Sequence, residues 1–95
     1  MKVVLSEQEI LAGVAEVARQ HLDYTGAIEP GMRLIEDLRL DSLRLLTLAV
    51  EVENRFRVRL DPEEEAAIET VGDLVRTVAG KLALKSERSE EDLDP

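Results

Sequence analysis

An all-α fold is predicted by three observations. Three long segments repeat apolar residues at helical spacing, cap signatures stand where helices should begin, and the one alternating stretch has no second strand to pair with. The closure that buries such segments is a small four-helix bundle, three long helices plus one short, with a long loop between the first and second helices. Residues 1–84 are assigned to the bundle and 85–95 to an acidic disordered tail. With one Phe and one Tyr among 95 residues, the core must be built from Leu, Val, Ile and Ala.

The first helix opens at Ser6-Glu7-Gln8-Glu9, a capping box in which hydroxyl and carboxylate each take the other residue's backbone N–H. Behind it Ile10, Val14, Val17 and His21 recur on one stripe, with Leu11, Ala18 and Leu22 alongside, and the helix is predicted to end near Leu22. Gly13 lowers its local helix propensity. His21, the only histidine, lies on or near that stripe and is assigned a structural role at the edge of the core. From Asp23 to Arg33 the pattern breaks at Gly26, Pro30 and Gly31. Met32, Leu34, Ile35 and Leu38 then pin an irregular loop to the core, a length of loop that is more often functional than not.

Asp41 reads as the N-cap of the second helix, which makes Ser42 its first helical residue. At about 100° per residue, Leu45, Leu48, Ala49, Val52 and Phe56 share a core face. Leu43, Leu46 and Val50 form a neighbouring apolar strip, with Ser42 between the two and Glu51, Glu53 and Asn54 on the polar side. So wide an apolar surface calls for cover from the loop or for a docking role, and Leu43 and Val50 are expected to be its most exposed members. The hydroxyl of Ser42 would lie beside unpaired N–H groups and the positive end of the helix dipole, where an attached anion is favoured.

Arg55 to Leu60 alternates polar and apolar residues and is read as a helix end running into an extended connector. Asp61-Pro62-Glu63-Glu64 starts a short helix through Ile68: a cap, a proline in the first turn, then acids. Thr70 caps the last helix with Asp73 three residues on, and Val71, Leu74, Val75, Val78 and Leu82 carry it to about Leu84. Lys85 to Pro95 lacks periodic apolar residues, hence the expected disordered tail.

Charge and composition exclude several functions. A formal net charge of −9 repels phosphate backbones and disfavours nucleic acid, while suiting docking to basic protein patches. No apolar run approaches the ~20 residues of a membrane span, and Met1 to Leu5 is too short for a signal-peptide core. The absence of cysteine removes disulfides and thiolate metal sites. A calcium loop from Asp37 fails, since Arg39, Ser42 and Leu48 occupy positions that need a ligand, a glycine and a glutamate. A lone His21 gives Ser42 no triad. No metal site and no enzymatic activity are expected, and a cytoplasmic location follows by default.

Leu34-Ile35-Glu36-Asp37-Leu38, then Asp41-Ser42-Leu43, then Phe56 at the end of the helix, then Thr70-Val71-Gly72-Asp73-Leu74 stand in this order with helices between them. In these motifs the chain resembles the acyl carrier protein family over roughly residues 6 to 84. The resemblance implies that Ser42 carries a covalent 4′-phosphopantetheine arm from coenzyme A, installed by a phosphopantetheinyl transferase, with Asp41 and Leu43 completing the attachment motif. It implies acyl cargo held as a thioester on that arm, for fatty-acid, polyketide or related lipid biosynthesis. The implied partners are acyl-loading, synthase and transferase enzymes, met by a monomer. Glu36, Asp37, Arg44, Leu46, Val50 and Glu51 are the candidate partner contacts.

The chain also departs from that family. Arg39 and Leu40 precede Asp41, where many fatty-acid carriers have a small residue, and Arg44 and Thr47 stand where the helix is usually acidic and recognised by basic enzymes. Five arginines lie between Arg39 and Arg59 against Asp41, Glu51 and Glu53. Two readings stand on the residues: a carrier modified at Ser42, or an unmodified helical module that docks partners through Leu43, Leu46 and Val50.

Overall fold

The computed structural model describes residues 5–92, with side-chain surroundings described through residue 84. Four helices follow one another: α1 (Glu7–His21), α2 (Ser42–Phe56), α3 (Pro62–Ala67) and α4 (Val71–Asp92). The all-α bundle of three long helices and one short one is therefore the fold. α1 packs against both α2 and α4 and forms its centre.

α1 starts as its sequence dictates. The Ser6 hydroxyl accepts the Glu9 N–H at 3.2 Å and the Glu9 carboxylate accepts the Ser6 N–H at 2.8 Å. Its stripe buries Ile10, Val14, Val17 and Ala18, with Leu22 as the C-cap. Gly13 is buried in α1, and an added Cβ would stand 2.5 Å from Phe56 Cζ, so this glycine is what lets α1 cross over the Phe56 ring. His21 lies outside the core: it is exposed, with Nε2 3.4 Å from the Glu51 carboxylate.

The loop between α1 and α2 is organised against the start of α4. Met32 C=O accepts the Val71 N–H at 2.9 Å, Pro30 C=O accepts the Gly72 N–H at 2.8 Å, and Leu34 N–H donates to Glu69 C=O at 3.0 Å. The Thr70 hydroxyl takes the Asp73 N–H at 3.0 Å, so the first three N–H groups of α4, which no helix can satisfy internally, all find partners. Gly72 belongs to this junction, because a Cβ there would stand 3.0 Å from the Pro30 carbonyl oxygen. Leu34, Leu38 and Leu40 enter the core while Ile35 stays 62% exposed, which splits the apolar pair.

Two expectations are corrected. α4 does not stop near Leu84 but keeps a helical backbone to Asp92, so most of the stretch read as a disordered tail is helix. Residues 85–92 are mainly Lys, Glu, Arg and Ser without Gly or Pro, and straight-chain charged residues propagate a helix already nucleated by the bundle. Residues 93–95 of the expected tail lie outside the described residues. The short helix ends one residue early, at Ala67, with Ile68 as an extended C-cap.

Candidate functional site

Asp41 is extended, and its carboxylate accepts the Arg44 N–H at 2.8 Å, which fixes the start of α2. Its C=O takes the Leu45 N–H at 2.8 Å, closing the first turn. Ser42 is thereby held as the first helical residue with its side chain exposed. Among the described residues, the Ser42 and Leu43 N–H groups find no acceptor, as expected of the first turn of a helix. The hydroxyl sits beside two free donors at the positive end of a helix dipole.

Beside Ser42 opens an apolar cavity of about 460 Å³ between α2, α3 and the connector. Leu45, Leu46 and Ala49 form its α2 wall, Leu60, Pro62, Ala66 and Ile68 the opposite one, and Leu34, Leu48 and Leu74 its floor. α3 buries none of its own residues and so covers the space without filling it. An ion pair from Glu64 on α3 to Lys81 on α4, 2.8 Å long, ties the cover down. Their mutual hydrogen bond draws the Glu64 pKa below and the Lys81 pKa above the ordinary values.

The other anticipated residues divide into groups. Leu43, Leu46 and Val50 are 70%, 56% and 41% exposed on α2, so the strip is open, and Leu46 is more exposed than Val50, the reverse of expectation. Leu45 and Ala49 pack partly against the core formed by Leu48, Val52 and Phe56. Glu36 and Asp37 lie in the loop and are engaged locally: Glu36 bonds the Arg33 guanidinium at 2.8 Å and Asp37 accepts the Arg33 N–H at 2.7 Å. Glu51 faces α1 through its pair with His21. Arg44 reaches back to the C-cap of α1, its guanidinium 3.5 Å from the Leu22 carbonyl oxygen, where the negative end of that helix dipole favours a cation.

The cavity is the feature that sequence reading missed. Leu60, Ala66 and Ile68 read as connector and short helix, and only the smallness of Ala66 and Ala67 hinted that α3 leaves space beneath it. Among the described residues, no group of three or more His, Asp or Glu could hold a metal ion, and no helix is long and apolar enough to cross a membrane.

Comparison with known proteins agrees with this geometry. The phosphopantetheine attachment site family matches residues 8–78. An acyl carrier protein of Arthrobacter sp. (strain FB24) is 39% identical over 79 residues, which cover 82% of this chain and 98% of that relative. The acyl carrier protein of Enterococcus faecalis superposes with a TM-score of 0.66 at 26% identity, covering 81% of this chain and 99% of that one. The acetyl actinorhodin acyl carrier protein of Streptomyces coelicolor superposes with a TM-score of 0.63 at 25% identity, covering 90% and 99% of the two chains.

Proposed function

The chain belongs to the acyl carrier protein family, and from that premise we propose that Ser42 is the residue that bears its 4′-phosphopantetheine. The observation that carries the assignment is an exposed hydroxyl on the first turn of α2, held by the Asp41 cap at the mouth of an apolar cavity. When attached, the arm supplies a terminal thiol on which acyl groups ride as thioesters, a function this chain lacks because it has no cysteine.

The protein's own residues do the rest. The Ser42 and Leu43 N–H groups and the α2 dipole stabilise the negative charge of a phosphodiester by about 0.3–1 kcal/mol. Asp41 holds the first turn so that the hydroxyl faces solvent and the transferase. Leu46, Ala49 and Ile68 offer a short acyl chain an apolar refuge, each buried methylene contributing about 0.8 kcal/mol. Leu43, Leu46 and Val50 meet the enzymes that load, extend and unload the cargo, in fatty-acid, polyketide or related lipid synthesis. The chain performs no bond chemistry itself and works as a cytoplasmic monomer, modified by a phosphopantetheinyl transferase with coenzyme A as donor.

Intact-mass analysis after incubation with coenzyme A and a broad-specificity transferase tests the assignment. One phosphopantetheine is expected on the wild type and none on Ser42→Ala. A wild type that stays bare, with its helical circular dichroism intact, removes Ser42 from the role.

A further inference from the structure

The outer face of α2 carries Leu43, Thr47, Val50 and Asn54 at i, i+4, i+7 and i+11, an uncharged stripe in a chain with 35% charged residues. The carboxylates around it are turned to internal donors. Asp41 takes the Arg44 N–H at 2.8 Å, Glu53 takes the Leu60 N–H at 2.7 Å, and Glu51 lies 3.4 Å from His21. In the loop, Glu36 and Asp37 are both engaged by Arg33. The first turn of α2 holds no acidic residue. Arg39 and Arg44 are exposed on either side of Asp41 and Ser42; the Arg44 guanidinium donates to the neutral Leu22 carbonyl, and among the described residues it forms no ion pair.

We propose that the enzymes served by this carrier meet α2 with an apolar groove rimmed by carboxylates, and that Arg44 selects for that rim. The inference rests on Ser42 being the attachment residue, because only then is this end of α2 the one that must enter an enzyme. A cation-rimmed groove would set like charges against Arg39 and Arg44, a repulsion that discriminates between partners more than it adds affinity. The remaining surface sharpens the choice. With a net charge of −9, the chain as a whole repels an acidic partner, so such a partner is drawn to where arginines stand exposed, as Arg39 and Arg44 do beside Ser42.

The test is a charge-swap cycle on the arm-bearing protein. The acyl acceptor is wild type or Arg44→Glu, and the donor enzyme is a malonyl transferase with a Lys/Arg-rimmed acceptor site or the same enzyme with those rim residues changed to Glu. Both enzyme forms are normalised by their rates with a free pantetheine thiol. The wild type is expected to favour the Glu-rimmed form and Arg44→Glu the cationic one, each by roughly fivefold in kcat/KM and through KM, the size of a rim charge interaction. A wild type that favours the cationic rim, or a preference that Arg44→Glu leaves unmoved, overturns the proposal. Intact mass is read before the cycle, so a wild type that takes no arm counts against Ser42 and not against the rim.

Discussion

The two sides of this bundle are built to different standards. Where α1 meets α4, Ile10, Val71 and Val78 are fully buried, and the loop carbonyls of Pro30 and Met32 satisfy the first N–H groups of α4. Where α2 meets α3, a cavity remains, α3 buries no residue, and three large apolar side chains of α2 face solvent. The contrast separates two tasks. One side supplies the stability that a small aliphatic core must find somewhere, and the other leaves apolar surface open, which the proposed function gives to cargo and partners.

The sharpest way to break this comparison is to truncate one residue on each side. Ile10→Ala removes a fully buried side chain and is expected to cost about 2–5 kcal/mol in urea unfolding, whereas Leu46→Ala should stay within about 0.5 kcal/mol. Equal losses would mean that the two sides are packed alike. Cargo provides the next test. Acyl-loaded protein should gain up to about 0.8 kcal/mol of stability per methylene over the arm-bearing form until the cavity fills. Ala49→Phe, which occupies the α2 wall, should flatten that rise with chain length while leaving attachment at Ser42 unchanged.

A smaller effect is expected at Gly13. Alanine there gains about 1 kcal/mol of helix propensity but drives a methyl against the Phe56 ring, an overpacking that costs about 1–3 kcal/mol. The net is a modest destabilisation visible in the urea midpoint, and a stabilised variant would show that α1 and α2 separate easily. Smallest is a pH effect at the α4 cap. The N–H groups of Glu69 and Thr70 hold Asp73 below the ordinary carboxylate value of 3.8. Its contribution is therefore present above that value and lost as pH falls through the lower folded-state value. The gap in Tm between wild type and Asp73→Asn should close as pH drops below about 4, the ordinary range for an aspartate, and a gap independent of pH would dismiss the cap charge.

Much of the first task was legible in the chain. Ser6 with Glu9, Asp41, Asp61 with Pro62, and Thr70 with Asp73 each mark a helix start, because a cap is a contact between residues three apart or fewer. The placing of Ser42 behind the Asp41 cap was legible for the same reason. What local reading missed depends on distant pieces meeting. Gly13 looked like a weakness until Phe56, far along the chain, came to lie on it, and His21, read as a core-edge residue, stands exposed with Nε2 3.4 Å from Glu51. The cavity was invisible because it is defined by atoms that α3 does not contribute. The helical run past Leu84 was missed because a segment without apolar periodicity can still propagate a helix that packing has begun.

Ser42 stands on a hydrogen-bonded turn and not in the loop before it, and that choice of footing reaches beyond the domain. A limb planted there, as proposed, would swing from a stationary pivot, so its reach would be bounded by its own length. On the proposed attachment at Ser42, each enzyme visited must therefore keep its reacting centre within one arm's length of its docking face, a limit that a one-turn shift of the pivot would move for all of them at once.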